Sequence, residues 1–343
     1  MKPLQNINFV LSNRCNATCV WCPASRGTKS NFDMDKELVF KIIDEAAHPD
    51  FPYELQRMHM SENGEALYHR DFVEILRYIK KKLPNVKVDM LSNFGLMSKK
   101  VAEILVREKL FDSIQVNIDG HNDESYKAVK GIPFKSVMKN LKHFLGLRME
   151  HYPDLDFGIN VMPAFEYAAT IFSVYDKNPI QIPAGTSVPF SSYSLVCKSL
   201  TEILGEDIFN SLSVVRHSSS GMWAERPRFK SGEFEAHPDS KCPMVNVMTE
   251  TMYVAPNGDF YACCLDDNQD LVVGNLKEQT LIEVWNSPER RNFMNNIKMH
   301  NYGKIGYPCN TIGACQTINN ADPDHWKKIE DQYSDGDSVV FEE

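Results

Sequence analysis

Short apolar runs alternate with amphipathic stretches through the first half of this 343-residue chain. In the amphipathic stretches, apolar residues recur at helical spacing, as they do at Phe72, Ile75, Leu76 and Ile79. The apolar runs predict strands at Ile7–Leu11, Glu54–Met60, Val86–Leu91, Ser113–Asp119, Phe157–Met162 and Ser213–His217. Strands that alternate with helices are typical of βα units around a parallel sheet.

The number and spacing of these units limit the architecture. The first five occupy about 165 residues, whereas a closed eight-unit barrel needs about 250. We therefore expect an α/β fold in which residues 1–220 form a partial (βα)6, TIM-like barrel. A linker is expected over 221–240, where the strand and helix patterns are lost.

A different pattern begins at residue 241. Met252–Val254 and Phe260–Cys263 flank Pro256-Asn257-Gly258, which predicts a β-hairpin with a turn. We therefore expect a small α+β domain over 241–320, after the barrel.

The charge and hydropathy of the chain exclude several classes of protein. The segment 321–343 holds eight acidic residues and two lysines, so its charge of −6 supplies two thirds of the net −9 and predicts a solvated acidic tail. An acidic chain lacks the basic face of a nucleic-acid binder. No run approaches the roughly 18 apolar residues of a membrane helix, and Met1–Arg14 lacks a signal-peptide layout. We expect a cytoplasmic protein that binds neither nucleic acid nor membrane.

The nine cysteines change this picture, because a reducing compartment does not favour disulfides. Cys15, Cys19 and Cys22 follow the first predicted strand, at the sheet edge where α/β folds place their chemistry. Structural zinc and ferredoxin clusters normally take four protein ligands, whereas a [4Fe-4S] cluster with three thiolates leaves one iron open. A zinc site with a distant fourth ligand and unligated buried thiols are the alternatives.

The Cys-x3-Cys-x2-Cys spacing resembles the signature of the radical SAM superfamily, and Trp21 before the third cysteine also matches. The resemblance implies a [4Fe-4S] cluster on Cys15, Cys19 and Cys22, with S-adenosylmethionine at its open iron. It implies reductive cleavage of S-adenosylmethionine to a 5′-deoxyadenosyl radical, which abstracts a hydrogen atom from the substrate. It also implies an electron donor such as flavodoxin or ferredoxin.

Three later motifs are similar to the superfamily's contacts for S-adenosylmethionine. Asn63-Gly64-Glu65 resembles its Gly-Gly-Glu motif, with Asn63 as a departure, and implies that Glu65 holds the amino group. A carboxylate is a suitable partner for an ammonium group. Asn93 after the third strand and Asn117 at the end of the fourth resemble polar positions near the cofactor and its ribose. Without the resemblance, Glu65 could lie on the surface, and the two asparagines could be turn or cap residues.

A second group of cysteines lies more than 200 residues downstream. Cys242-x15-Gly258-x4-Cys263 resembles the opening of the auxiliary-cluster extensions called SPASM and twitch domains. With Cys309 and Cys315, the resemblance implies four ligands for one closed [4Fe-4S] cluster. A full SPASM extension carries seven cysteines, so the shorter twitch type is expected. A structural zinc ribbon would use the same four thiolates.

Two cysteines are then left over. Cys197 lies in a helix-like stretch and is expected to pack as a small apolar residue. Cys264 lies in a segment expected to face the barrel mouth, so it is a candidate catalytic donor of a hydrogen atom to a substrate radical. It could instead replace Cys263 as the ligand, or pack as an apolar residue.

The reaction that the resemblance implies is hydrogen abstraction, followed by oxidation of a small polar metabolite such as a sugar or an aminocyclitol. A radical epimerase that uses Cys264 is the runner-up, and a peptide-modifying maturase is a further alternative. Two alternatives come from other classes: a non-catalytic iron–sulfur electron carrier and a zinc-binding interaction module. The substrate class rests on family analogy alone.

Overall fold

The computed structural model describes residues 2–19, 22, 32–60, 63–161, 187–217, 242, 244–264, 266, 269–306, 309 and 338–340. The strands are β1 (Asn6–Phe9), β2 (Arg57–His59), β3 (Lys87–Ser92), β4 (Ser113–Ile118), β5 (Asp156–Val161), β6 (Ser187–Pro189), β7 (Val214–His217), β8 (Thr251–Val254), β9 (Asp259–Tyr261), β10 (Val272–Asn275) and β11 (Ser338–Val340). The helices are α1 (Lys36–Ala46), α2 (Phe72–Lys82), α3 (Lys99–Arg107), α4 (Asp123–Lys130), α5 (Phe134–His151), α6 (Tyr193–Leu204), α7 (Glu206–Asn210), α8 (Val245–Met248), α9 (Leu281–Trp285), α10 (Pro288–Lys298) and α11 (Tyr302–Ile305).

One sheet dominates the described part of the chain. Its nine strands lie in the order β10-β9-β8-β1-β2-β3-β4-β5-β7. Every neighbouring pair from β8 across to β7 is parallel, whereas β9 pairs antiparallel with β8 and β10. The six predicted strands of the N-terminal half are β1 to β5 and β7, so the predicted α/β class is confirmed.

The two faces of the sheet differ in polarity. On one face, Ile7, Met58, Val88 and Ile114 are fully buried in the hydrophobic core that the helices share. Side chains alternate between the two faces along each strand, so the residues between these apolar ones point to the other face. Many of them are polar, and the strand register places them side by side. We call this second face the polar face, and its residues are Asn6, Asn8, His59, Asp89, Gln115, Asn117 and Asn160. Because the helices cover the apolar face, the polar face is the inner face of the partial barrel.

The C-terminal unit extends the same sheet. β8 pairs in parallel with β1, and Tyr253 lies opposite Asn8. Lys41 on α1 donates to the carbonyl oxygens of Leu276 and Gln279 over 2.8 and 2.9 Å. The predicted hairpin therefore covers an edge of β1 that the N-terminal strands leave unpaired. The barrel and the predicted C-terminal domain thus share one sheet.

The end of the chain also contributes a strand. β11 pairs antiparallel with β6, so three residues of the segment predicted as a solvated tail are paired. Its sequence, Ser-Val-Val, contains β-branched residues, which favour strands. The prediction of a solvated tail followed the acidic composition of the whole segment and missed this short run. Residues 221–240, predicted as a linker, lie outside the described residues. No helix in the described ranges combines the length and the apolarity needed to span a membrane.

Candidate active site

The cysteine loop, residues 15–19 and 22, follows β1 at the carboxyl edge of the sheet. Two backbone hydrogen bonds tie this region to the loop after β2 and to the end of α4. Glu65 N donates to Arg14 O over 2.8 Å, and Thr18 N donates to Lys130 O over 2.9 Å. The structure therefore places all three predicted ligands on one anchored loop, namely Cys15, Cys19 and Cys22. The predicted matching residue Trp21 lies outside the described residues.

Arg14 fixes the entry to the cysteine loop. Its guanidinium forms an ion pair with Asp33, in which Nε donates to Oδ1 over 3.1 Å. The same group lies 4.6 Å from the centroid of the Tyr68 ring. Sequence reasoning missed Arg14, because an arginine beside a cysteine motif carries no signal of its own until its partners are known.

Two N–H donors lie within hydrogen-bond distance of the sulfur of Cys15. Ala17 N lies 3.4 Å from Sγ, and Asn93 Nδ2 lies 3.5 Å from it. Burial raises the pKa of Cys15 to about 11, although the Ala17 N–H opposes the shift by stabilising the thiolate. Burial also raises the pKa of Cys19, and the charge of Lys130 opposes it. Buried sulfurs that receive N–H donors fit the ligation of an iron–sulfur cluster.

Glu65 is a buried carboxylate, 2% exposed, so the alternative of a surface position is wrong. Its Oε1 accepts from Ser92 Oγ over 2.9 Å, and its Oε2 accepts from Asn93 N over the same distance. Burial raises the pKa of Glu65, while the Asn93 N–H opposes the shift. A buried carboxylate beside the cysteine loop fits the ammonium group of S-adenosylmethionine, because a cation offsets the cost of burying the charge.

Gly64 allows the loop after β2 to touch the loop after β1. Its φ is +139°, and a Cβ at this position would lie 2.0 Å from Ser12 O. The neighbouring Asn63 is 9% exposed. The glycine of the predicted motif is therefore required by packing, because it lets the loop that carries Glu65 lie against the cysteine loop. Contact of Asn63 or Gly64 with the cofactor stays a prediction.

The turn after β3 directs Asn93 towards Glu65. Phe94 has a φ of 59°, in the left-handed region that a phenylalanine rarely adopts. Its buried ring is held edge-on against Phe144 and Phe157, with centroids 5.3 and 5.7 Å away. Aromatic packing thus stabilises a strained turn, and the turn places the backbone N–H of Asn93 on the Glu65 carboxylate.

Asn117, the predicted ribose contact, belongs to a ladder of amides on the polar face. Asn160 Nδ2 donates to Asn117 Oδ1 over 3.0 Å and to Gln115 Oε1 over 3.2 Å. Both partners lie on β4, and Asn160 lies on β5 beside them. Sequence reasoning missed Asn160, although a polar residue at an alternate position of an apolar strand is a usable signal.

A second polar group lies on β2 and β3. His59 Nδ1 is 2.5 Å from Asp89 Oδ1, and the other oxygen of Asp89 pairs with Arg57. The side chain of Asp89 is 11% exposed and that of His59 is 25% exposed. Sequence reasoning missed this group too, because 30 residues separate His59 from Asp89.

The predicted ligands of the auxiliary cluster lie in the C-terminal unit. Cys263 and Cys309 are buried in the main hydrophobic core, and Cys242 packs against it. Burial raises the pKa of Tyr302, and the charges of Cys242 and Cys309 add to the shift, so both thiols lie near this ring. Cys315 lies outside the described residues. Among the described residues, no three Cys, His, Asp or Glu side chains are grouped closely enough to hold a metal ion, so both this four-ligand set and the set of Cys15, Cys19 and Cys22 stay predictions.

Cys264 has different neighbours from Cys263. Besides the main hydrophobic core, it packs against a small apolar cluster made of Val10, Tyr253, Ala255 and Tyr261. Tyr253 lies opposite Asn8 of the polar face, and Val10 follows Asn8 at the next alternate position. Cys264 therefore lies on the polar-face side of the sheet, close to the end of β1.

Two family models match the chain. The radical SAM superfamily model matches residues 9–163, and the SPASM model, an iron–sulfur cluster-binding domain, matches residues 242–316. The chain is a radical SAM enzyme with a SPASM domain. The first domain implies S-adenosylmethionine and a [4Fe-4S] cluster, and the second implies auxiliary iron–sulfur clusters. An enzyme is therefore favoured over the electron carrier and the zinc-binding module.

Curated relatives of this radical SAM enzyme match it over part of their length. A probable GTP 3′,8-cyclase of Saccharolobus islandicus is 28% identical over 142 residues, which are 41% of this chain and 44% of the relative. A probable GTP 3′,8-cyclase of Saccharolobus solfataricus is 25% identical over 142 residues, with the same coverage. The chain thus matches less than half the length of these relatives.

Solved structures share the fold over most of the chain. BtrN in complex with AdoMet and 2-DOIA is 16% identical, with a TM-score of 0.50 over 88% of this chain and 90% of BtrN. Streptococcus suis SuiB bound to S-adenosylmethionine is 16% identical, with a TM-score of 0.54 over 85% of this chain and 68% of SuiB. Native anSMEcpe with bound AdoMet is 16% identical, with a TM-score of 0.51 over 85% of this chain and 83% of anSMEcpe. At this identity the likeness shows the fold.

Proposed function

We propose that this radical SAM enzyme oxidises a hydroxyl-bearing carbon of a small polar metabolite, such as a sugar or an aminocyclitol, to a carbonyl. The observation that carries the proposal is the polar face of the sheet. Its side chains are amides and a histidine–carboxylate pair, whereas the opposite face of the same strands carries apolar residues. Amides donate and accept hydrogen bonds, so they suit hydroxyl and amino groups on a ligand.

The amide ladder supplies the recognition part of the proposal. Asn160 holds Asn117 and Gln115 by their oxygens, which fixes the orientation of both amides. Asn117 then presents its NH2 group as a donor with a defined direction. Pre-oriented polar groups bind a polar ligand at a lower entropy cost than mobile ones.

His59 supplies the proton acceptor. A carboxylate only accepts hydrogen bonds, so His59 Nδ1 donates to Asp89 and the neutral imidazole keeps Nε2 as its basic nitrogen. Asp89 stabilises the imidazolium that forms when His59 takes a proton. We therefore assign to His59 the role of accepting the proton of the substrate hydroxyl.

These parts balance as an alcohol oxidation. The cofactors supply a radical that takes a hydrogen atom from carbon and an acceptor for one further electron. The substrate loses that hydrogen atom and that electron, and its hydroxyl proton goes to His59. The sum is two electrons and two protons, which converts an alcohol to a carbonyl compound.

The comparisons support a small metabolite and also name the competing substrate classes. BtrN was solved with AdoMet and 2-DOIA, and it shares the fold over 90% of its length. SuiB was solved with its precursor peptide SuiA, and the curated relatives are probable GTP 3′,8-cyclases. A peptide and GTP therefore belong in the test beside hydroxylated metabolites.

The test is a substrate screen with anaerobically reconstituted protein, S-adenosylmethionine and a chemical reductant, run in deuterated solvent. We expect a hydroxylated metabolite to lose the mass of two hydrogens, with one 5′-deoxyadenosine formed per product. Turnover confined to GTP or to peptides contradicts the proposal.

The position of Cys264 supports a second candidate, a radical epimerase. A thiol on the polar-face side of the sheet could return a hydrogen atom to the substrate radical from the opposite face. The product would then keep its composition and gain one deuterium from the solvent. In Cys264→Ala, an epimerase loses the deuterated product and still forms 5′-deoxyadenosine, whereas an oxidase makes its product as before.

A further inference from the structure

A buried ion pair joins the end of β4 to the end of α4. Lys130 Nζ lies 2.6 Å from an oxygen of Asp119, and the two side chains are 5% and 0% exposed. A buried ion pair is often no more stabilising than apolar residues of the same volume. Stability of the fold therefore does not account for placing these charges in the core.

The backbone of Lys130 holds the cysteine loop. Its carbonyl oxygen accepts from Thr18 N over 2.9 Å, between the first and second predicted cluster ligands. The next residue, Gly131, ends α4 with a φ of +71°, and a Cβ there would lie 1.9 Å from Thr18 Oγ1. The end of α4 is therefore packed directly against the loop, and it fixes where the loop lies.

The charge of Lys130 acts on the buried acidic groups of the same site. Burial raises the pKa of Cys15, Cys19 and Glu65, and the charge of Lys130 opposes the shift in all three. Burial by itself lowers the pKa of Lys130, but the charge and hydrogen bond of Asp119, together with smaller contributions from Cys19 and Tyr126, raise the pKa above its usual value. Because Asp119 pairs with the ammonium inside the core, Lys130 is held as a cation next to the cysteine loop that its carbonyl oxygen contacts.

We propose that Lys130 is a positioning residue of the first iron–sulfur site, where its carbonyl fixes the cysteine loop and its ammonium, anchored by Asp119, offsets the negative charge of the cluster thiolates. The reduction potential of an iron–sulfur cluster depends on nearby charge and hydrogen bonds. A cation favours the reduced cluster, because reduction adds a negative charge. This inference concerns the cluster that the radical SAM domain implies, and it holds for any substrate.

The test compares Lys130→Met, Lys130→Arg and Asp119→Asn with the wild type, and uses exposed Lys127→Met on the same helix as the control. The readouts are the iron content and the midpoint potential of the cluster whose EPR spectrum changes when S-adenosylmethionine is added. Lys130→Met should shift the potential to more negative values, and Asp119→Asn should shift it to more positive values. Lys130→Arg and Lys127→Met should leave it close to the wild type.

Opposite shifts in the methionine and asparagine variants separate a charge effect from general damage to the fold, which would move both potentials the same way. If Lys130→Met fails to take up the cluster while Lys130→Arg takes it up fully, the positive charge is required, as proposed. An unchanged potential in a fully loaded Lys130→Met protein overturns the proposal. So does equal loss of iron from the methionine and arginine variants, because the side-chain shape would then be the requirement.

Discussion

The backbone N–H of Asn93 donates to the Glu65 carboxylate over 2.9 Å, so the turn after β3 is bonded directly to the loop after β2. The backbone N–H of Glu65 in turn donates to Arg14 O, just before the first cysteine. Glu65 thus lies where the ends of β1, β2 and β3 meet. A carboxylate buried at such a junction, with a pKa raised by burial, is stabilised by any cation that binds beside it.

Replacing Glu65 by glutamine should weaken the binding of S-adenosylmethionine. Glutamine keeps the size of the side chain but removes the charge that is predicted to bind the ammonium group. Hydrogen bonds to charged groups contribute roughly 1.5–3 kcal/mol, so we expect a loss of affinity of about 10- to 100-fold. Equilibrium dialysis of the reconstituted protein measures it, and exposed Glu74→Gln is the control. Equal affinities for Glu65→Gln and the wild type would refute the assigned contact.

Cys15 should make the cluster-free protein less stable at alkaline pH. The pKa of Cys15 is about 11 in the folded chain, against an ordinary value of 9.0, because burial disfavours the thiolate. The unfolded chain therefore releases its proton first, so the stability present below pH 9 falls as the pH rises towards 11. The full loss, above pH 11, should be about 3 kcal/mol, since the shift is about two pKa units and one unit corresponds to about 1.4 kcal/mol.

Urea unfolding of the cluster-free protein across this pH range provides the measurement. In Cys15→Ala the decline should be smaller than in the wild type, while Cys197→Ala, on α6, should follow the wild type. The same pH dependence in Cys15→Ala and the wild type would remove Cys15 as its source.

The strands and the family of the first domain were predictable because their signals are local. Buried parallel strands are nearly continuous apolar runs, so the predictions for β3 and β4 fall within one residue of the observed bounds. The spacing of three cysteines over eight residues is also visible in one short segment. Burial of Glu65 could be anticipated only from the motif, because a glutamate in a loop carries no signal of burial of its own.

The remaining features depend on contacts between distant residues. The pairing of β8 with β1 joins segments about 245 residues apart, and the sequence pattern of neither strand predicts which strand it pairs with. His59 and Asp89 become neighbours only through the register of β2 on β3. A polar residue at the alternate position of a buried strand shows that something polar faces it, but the sequence does not say what.

Gly64→Ala should impair assembly of the first cluster. The added methyl group would lie 2.0 Å from Ser12 O, so the loop after β2 must move away from the cysteine loop. We expect the iron content to fall by about half, which is the loss of one of two four-iron clusters. Gly146→Ala is the control, because nothing lies within 4 Å of its Cβ and alanine favours the helix by about 1 kcal/mol. Full iron content in Gly64→Ala would show that the two loops pack independently.

His59→Gln should uncouple cofactor cleavage from product formation. Glutamine can still donate to Asp89, but it cannot take a proton from the substrate hydroxyl. General bases contribute about 100- to 10,000-fold, so product formation should fall by at least about 100-fold while 5′-deoxyadenosine is still formed. Parallel quantification of both compounds by mass spectrometry tests this, with exposed His48→Gln as the control. An unchanged ratio of product to 5′-deoxyadenosine would exclude His59 as the proton acceptor.

Arg290→Met should destabilise the C-terminal unit. The buried guanidinium lies 3.4 Å from the centroid of the Trp285 ring and donates to the carbonyl oxygens of Trp285 and Met248, each over 3.2 Å. Methionine leaves these carbonyls buried without a donor, at a cost of about 2–4 kcal/mol. Urea unfolding measures the loss, and the adjacent, exposed Arg291→Met should change stability by less than about 0.5 kcal/mol. Met248 ends α8, which leads into β8 through Thr249 and Glu250, so Arg290→Met should also lower the iron held by the SPASM domain. Equal stability of the two variants would show that Arg290 does not anchor this unit.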